Sequence, residues 1–107
     1  MTAARIAELN DAARTSFIGA RIVITKGIAA MDDLDRLYAK VRAFNDFTER
    51  NDPYGEHDFG AVEHAEDNQL VFWKFDYWDL DLAAHSPDPS DPAVTCRVLT
   101  IMLAEEY

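Results

Sequence analysis

The chain has a single cysteine and only half as many basic as acidic side chains, and it has no long hydrophobic run. Cys96 alone cannot close an internal disulfide, and the N-terminus lacks a charged start leading into an apolar stretch and a small-residue cleavage site. A reducing cytoplasm is therefore the expected compartment. The longest apolar stretches lie near residues 69–75 and 98–104, far short of the roughly 20 residues a spanning helix needs. That predicts a soluble protein. Also missing are a glycine-rich phosphate loop, a G-x-S-x-G elbow, a C-x-x-C pair and a basic, aromatic-laced patch, so nucleotide binding by a familiar loop has no support.

Ten basic residues against twenty acidic ones give a net charge of −10. The distribution is uneven: residues 1–30 carry +2, residues 31–68 carry −7 and residues 69–107 carry −5. A surface of that sign repels phosphate backbones and anionic lipid, which argues against direct nucleic-acid or membrane binding. Cations and basic protein surfaces are the favoured partners, although acidity can also serve only to keep a small protein soluble. A length of 107 residues, 49% of them hydrophobic, suits one core and one domain, 1–107.

Helical and extended signals alternate along the chain. Thr2 is placed to cap a first helix whose apolar stripe is Ile6, Leu9, Ala13 and Phe17, with Gly19 ending it. Residues 21–25, rich in β-branched side chains and closed by Lys26-Gly27, read as a buried strand. Asp32 and Asp33 start a second helix with Leu34, Leu37, Tyr38, Val41 and Phe44 inward. Residues 45–58 lose the period and form a loop. Residues 59–64 and 69–80 read as a hairpin turning through Ala65-Glu66-Asp67-Asn68. On its second strand Val71, Trp73, Phe75 and Tyr77 face the core, while Leu70, Phe72, Lys74, Asp76 and Trp78 share the other face. The prolines of residues 86–92 make a rigid connector. Asp91-Pro92 then predicts a final helix running towards Tyr107, apolar nearly all round and so either central or an oligomer contact. The expected fold is α+β: a small, largely antiparallel sheet of about three strands packed with three helices, in the order α-β-α-β-β-α.

Four strings, NDPYGEHDFG (51–60), FWKFDYWDLDL (72–82), SPDPSDPAVT (86–95) and RVLTIMLAEEY (97–107), resemble an uncharacterised bacterial family, domain of unknown function 3768. The similarity extends to the first-helix pattern RIAELNDAAR. Where the family strand more often reads WKIDYYD, Phe75 and Trp78 depart conservatively. The resemblance implies a shared fold and no particular activity, substrate or cofactor.

Within residues 51–60, Glu56, His57 and Asp58 supply oxygen and imidazole groups suited to zinc, manganese or iron, and a histidine beside carboxylates can act as a general base. Neighbouring strand residues point to opposite sides, so further ligands must come from elsewhere, with Asp76, Asp79, His64 and His85 as candidates. The alternative is that Asp52-Pro53-Tyr54-Gly55 is a turn and His57 and the acids anchor it. Lys74 and Asp76 are either an activated pair between Phe72 and Trp78 or a salt bridge fixing sheet register. Asp79 and Asp81 offer oxygens for calcium or magnesium but lack the ligand series of a calcium loop. Cys96 reads as a small buried hydrophobe.

Three functions stay open. The first is a small acidic, non-enzymatic binding or regulatory protein that holds a protein partner through Tyr54, Trp78, Asp79 and Asp81. A sharper form of it is an acidic mimic of nucleic acid that blocks a basic groove. The second is a metal-dependent hydrolase centred on Glu56, His57, Asp58 and Asp76, with His57, Asp58 and Asp76 as metal candidates. The third is an assembly protein, a homodimer formed through the last helix.

Overall fold

The computed structural model describes residues 2–64 and 69–107. The elements run α1 (Ala3–Ser16), β1 (Arg21–Ile24), α2 (Lys26–Ala29), α3 (Leu34–Ala43), β2 (Phe59–His64), β3 (Gln69–Trp78) and β4 (Cys96–Leu103), with single 3-10 turns at Pro92–Val94 and Ala104–Glu106. The fold is α+β, and its four strands form one mixed sheet in the order β1-β4-β3-β2. β2–β3 and β3–β4 are antiparallel, and β1–β4 is parallel. The turn expected at residues 65–68 lies outside the described residues. Among the described residues no helix is long and apolar enough to cross a membrane.

The final helix is the main correction. Asp91 does cap a turn, its carboxylate accepting from Ala93 N–H at 2.9 Å with Pro92 next, but one 3-10 turn later the chain becomes β4. A central strand paired on both edges, with one face in the core and the other half-covered, carries apolar side chains on both faces and so mimics a buried helix in composition. The β-branched Val98, Thr100 and Ile101 favour the strand. Leu99 and Ile101 are wholly buried on one face and Met102 nearly so on the other. The sheet therefore has four strands rather than about three, and dimerisation through a last helix has no helix to use.

Smaller differences have local causes. β1, expected to be buried, is an edge strand and is half-exposed. The loop after it contains the single turn α2, whose Ile28 is fully buried. α1 ends earlier than Gly19, at Phe17, which adopts a left-handed φ of 59° and returns its N–H to Ala13 O at 2.7 Å. The inward stripe of α1 is Ile6, Asn10, Ala13 and Arg14, with Leu9 only partly buried.

The core lies between the helices and one face of the sheet. Ile6, Ile28, Leu37 and Val41 pack on Val71, Trp73, Phe75 and Tyr77 of β3 and on Leu99 and Ile101 of β4. The β3 faces fall as the alternation predicts. Each large side chain so buried contributes about 1.5–3 kcal/mol. Trp73 lies opposite Gly60 in the ladder, and a Cβ on Gly60 would sit 2.5 Å from the Trp73 indole nitrogen. Only glycine lets the ring lie flat there.

Candidate functional site

Antiparallel pairing gathers the site. β3 finishes at Trp78 beside the beginning of β4, at the same end of the sheet where β2 begins. The two longest connections, residues 44–58 and 79–95, therefore meet at that end. Together they carry nine acidic residues and one basic residue, Arg50, and Asp76 adds another carboxylate from β3.

A buried polar network anchors these connections to α1. Asn10, fully buried, donates from Nδ2 to the Glu56 carbonyl (3.0 Å) and to the Tyr77 hydroxyl (2.8 Å). Its Oδ1 accepts from Arg97 Nε at 2.7 Å. Arg97 in turn donates to the Pro89 carbonyl and lies over the Tyr77 ring. One helix residue thus ties both connections to the two central strands.

His57 is held in the same way. Its backbone adopts a left-handed φ of 55°, its N–H donates to the Asp52 carboxylate at 3.2 Å, and its ring stacks on Phe47 with centroids 3.8 Å apart. Nδ1 lies 3.0 Å from both Asp11 carboxylate oxygens, and Nε2 lies 3.7 Å from Asp52 Oδ2. The imidazole is therefore sandwiched between a carboxylate of α1 and one of its own loop. A positive φ at a non-glycine residue costs energy that these contacts must offset.

The remaining candidates are distributed as follows. Tyr77 O–H reaches the Glu56 carboxylate at 3.4 Å. Burial raises the Glu56 pKa, and the Asp58 charge raises it further. Burial also raises the Asp58 pKa, helped by Asp52 and Asp76. Tyr77 is raised as well, chiefly by burial. Asp58 accepts the Phe75 N–H at its carbonyl. Lys74 and Asp76 form a 3.1 Å ion pair on the open face of the sheet, each partly exposed. Among the described residues no three His, Cys, Asp or Glu side chains converge as metal ligands would, and no enclosed pocket is formed. His64 lies at the other end of β2, with Nε2 2.9 Å from the Asp32 carbonyl. His85 bridges Trp78, and Cys96 pairs with Trp78 in the ladder.

The segment after β3 folds back tightly. Asp79 N–H donates to Ala84 O, Leu82 N–H donates to Asp79 O, and the Asp79 carboxylate accepts from Ala83 N–H. Leu82 sits at φ 58°. The ordered turn holds Trp78 (39% exposed), Leu80 (63%) and Leu82 (41%) in water beside Asp79 and Asp81, and Tyr54 on the neighbouring loop is 81% exposed.

The sequence reading overlooked Asn10, Asp11, Arg14, Phe47 and Arg97. Asn10 had a signal, since it stands one turn after Ile6 on a stripe otherwise read as apolar. Asp11 and Phe47 had none, because their partner His57 is 46 residues from Asp11 and meets it only in the folded chain.

No curated protein and no solved structure matches the chain. A family described as Protein of unknown function (DUF3768) matches residues 24–106. That match runs from the last residue of β1 through the last 3-10 turn, leaving α1 and most of β1 outside, and the chain belongs to this family of proteins of unknown function.

Proposed function

We propose that the chain is a small acidic binding protein that acts by protein contacts at the acidic end of its sheet. The observation that carries this reading is the exposure of Trp78, Leu80 and Leu82 on a tightly bonded turn that also displays Asp79 and Asp81. Large apolar side chains held out of a core by an ordered backbone, one residue of it at positive φ, cost the isolated protein energy. Covering them with a partner recovers about 25 cal/mol per Å² of apolar surface. Aromatic and aliphatic anchors inside a charged rim are how protein interfaces combine affinity with orientation, and the carboxylates select a basic surface. Tyr54 extends the same patch chemistry along the neighbouring loop. The sharper form of the reading is mimicry, in which the acids of the two connections occupy a basic groove that otherwise holds nucleic acid.

The test is photo-crosslinking in cells from position 80, with position 12 on the exposed side of α1 as control. The expected result is a discrete adduct with a basic-surfaced protein, seen from position 80 alone and weakened at least about tenfold by Trp78→Ala. Loss of the adduct on adding DNA supports mimicry. The same adducts from both positions, or partners with acidic surfaces only, overturn the proposal.

The hydrolase reading has one observation in its favour, the carboxylate of Asp11 at 3.0 Å from His57 Nδ1, which is how an orienting acid holds a general base. Titration of the chelator-stripped protein with zinc and manganese decides whether a metal takes part. Binding that survives His57→Ala removes His57 as a ligand.

A further inference from the structure

The two edges of the sheet differ. At the β2 edge, α3 lies alongside and Lys40 Nζ donates to the Glu63 carbonyl at 2.6 Å. At the β1 edge, Thr25 N–H donates inward to Ile101 O. Alternation along the strand therefore turns the N–H and C=O groups of Ile22 and Ile24 outward, and among the described residues nothing bonds them. Natural edge strands are usually blunted by lysine, proline or a bulge. β1 has only Arg21, at its start. Ile22 and Ile24 are half-buried, Val23 is 44% exposed, and Ile18 in the preceding turn is 77% exposed.

We propose that the β1 edge pairs antiparallel with β1 of a second copy of this chain, joining two four-stranded sheets into one of eight strands. The outward groups fix the register. Ile22 of each copy exchanges both backbone hydrogen bonds with Ile24 of the other, and the two Val23 side chains meet on the two-fold axis on the open face. The helices of both copies then lie on the same side of the joint sheet.

Charge selects this occupant and this geometry. Two molecules of net charge −10 repel, so they approach best where charges balance, as at this edge, where Arg21 starts β1, Lys26 follows it and Glu106 bonds Thr25 and Gly27. An antiparallel two-fold sends the acidic ends to opposite ends of the joint sheet, as far apart as edge pairing allows. The register also sets Arg21 opposite Thr25 of the second copy, whose hydroxyl donates to Glu106, so each contact end pairs a guanidinium with a carboxylate. The site is separate from the acidic end, and neither proposal depends on the other.

Sedimentation over micromolar to submillimolar concentration, at low and physiological salt, tests it. The expected result is a monomer–dimer equilibrium that tightens as salt screens the net charge. Val23→Lys sets two like charges on the axis and is expected to weaken association at least tenfold, with the melting temperature of the dilute monomer unchanged, since Val23 is not core. Arg21→Glu is expected to weaken it severalfold. In a Cys96→Ser background, Val23→Cys is expected to crosslink into a dimer on oxidation. A monomer at every concentration overturns the proposal, as does a dimer that Val23→Lys leaves intact and Val23→Cys does not crosslink.

Discussion

Arg14 shows how a charge is kept inside this small core. Its side chain is 2% exposed, and Nη1 donates to the carbonyls of Val41 (2.9 Å) and Arg42 (3.1 Å) at the end of α3. Nη2 reaches Asp11 at 3.2 Å, and the guanidinium lies over Phe47 and Trp73. Burial lowers its pKa and Asp11 partly restores it. Arg14→Ala leaves the two carbonyls without a donor and opens a void beside Trp73. The expected loss is about 2–4 kcal/mol in urea unfolding. Arg14→Lys should recover little, because a point charge cannot bridge what a planar fork does. Glu56 and Asp58 govern the response to pH. Their folded pKa values are raised, so they bind protons more tightly when folded. The stability this contributes is fully present below the ordinary carboxylate value and is lost as pH rises through the raised one. Asp88 and Glu106 are lowered, chiefly by bonds from Ser90 and Thr25, and act in the opposite sense, losing stability as pH falls. Thermal unfolding should therefore be most resistant in mild acid, above the lowered carboxylates and below the raised ones. Glu56→Gln with Asp58→Asn should flatten the neutral side of that curve, and an unchanged slope there would remove these two carboxyls as its cause.

At the scale of elements, β4 determines whether the domain forms. It pairs with β1 on one side and β3 on the other, and supplies Leu99 and Ile101 to the core. Leu99→Ala is expected to cost about 2–5 kcal/mol by denaturant titration. Gly60→Ala probes the β2–β3 hairpin differently. Its new methyl would meet the Trp73 indole at 2.5–2.6 Å, and Trp73 has no exposed side to move towards. Overpacking of that kind should destabilise by about 1–3 kcal/mol, with the near-ultraviolet tryptophan signal altered before secondary structure is lost. α1 lies outside the residues that define the family match, yet it holds the first connection through Asn10 and Asp11 and reaches the second through Arg97, which donates to Asn10. Asn10→Ala should accordingly raise amide exchange in residues 52–58 and 86–91 more than in β3. Uniform exchange across the sheet would show that the helix does not anchor the loops.

Over the whole molecule, charge is polarised rather than merely abundant. The connections at the Trp78 end carry nine acids against one base, while residues 1–30, which include α1 and β1, carry a net +2. Self-repulsion at that end opposes folding, so added salt should raise the melting temperature until screening is complete. The proposed partner surface lies at the acidic end and the proposed pairing edge lies at β1. These two surfaces are separable by substitution, since Trp78→Ala and Val23→Lys touch different strands.

Charge sign, α1, α3 and the β3 alternation were legible in the chain, because each depends on composition or on neighbours within a few residues. The faces of β3 followed from period two alone. The identity of residues 96–103 was not legible: a central strand paired on both edges, with apolar side chains on both its buried and its half-covered face, resembles a buried helix in composition, and only its neighbours β1 and β3 distinguish the two. The strand at residues 21–24 read as buried from its β-branched composition, and only the pairing shows it to be an edge. At the site, Glu56, His57 and Asp58 stood out as adjacent ionisable residues, but their fate rests on Asn10 and Asp11, more than forty residues away. Local pattern chooses the elements. Long-range pairing decides which polar groups are buried, which strand edge stays open, and where the acidic residues gather.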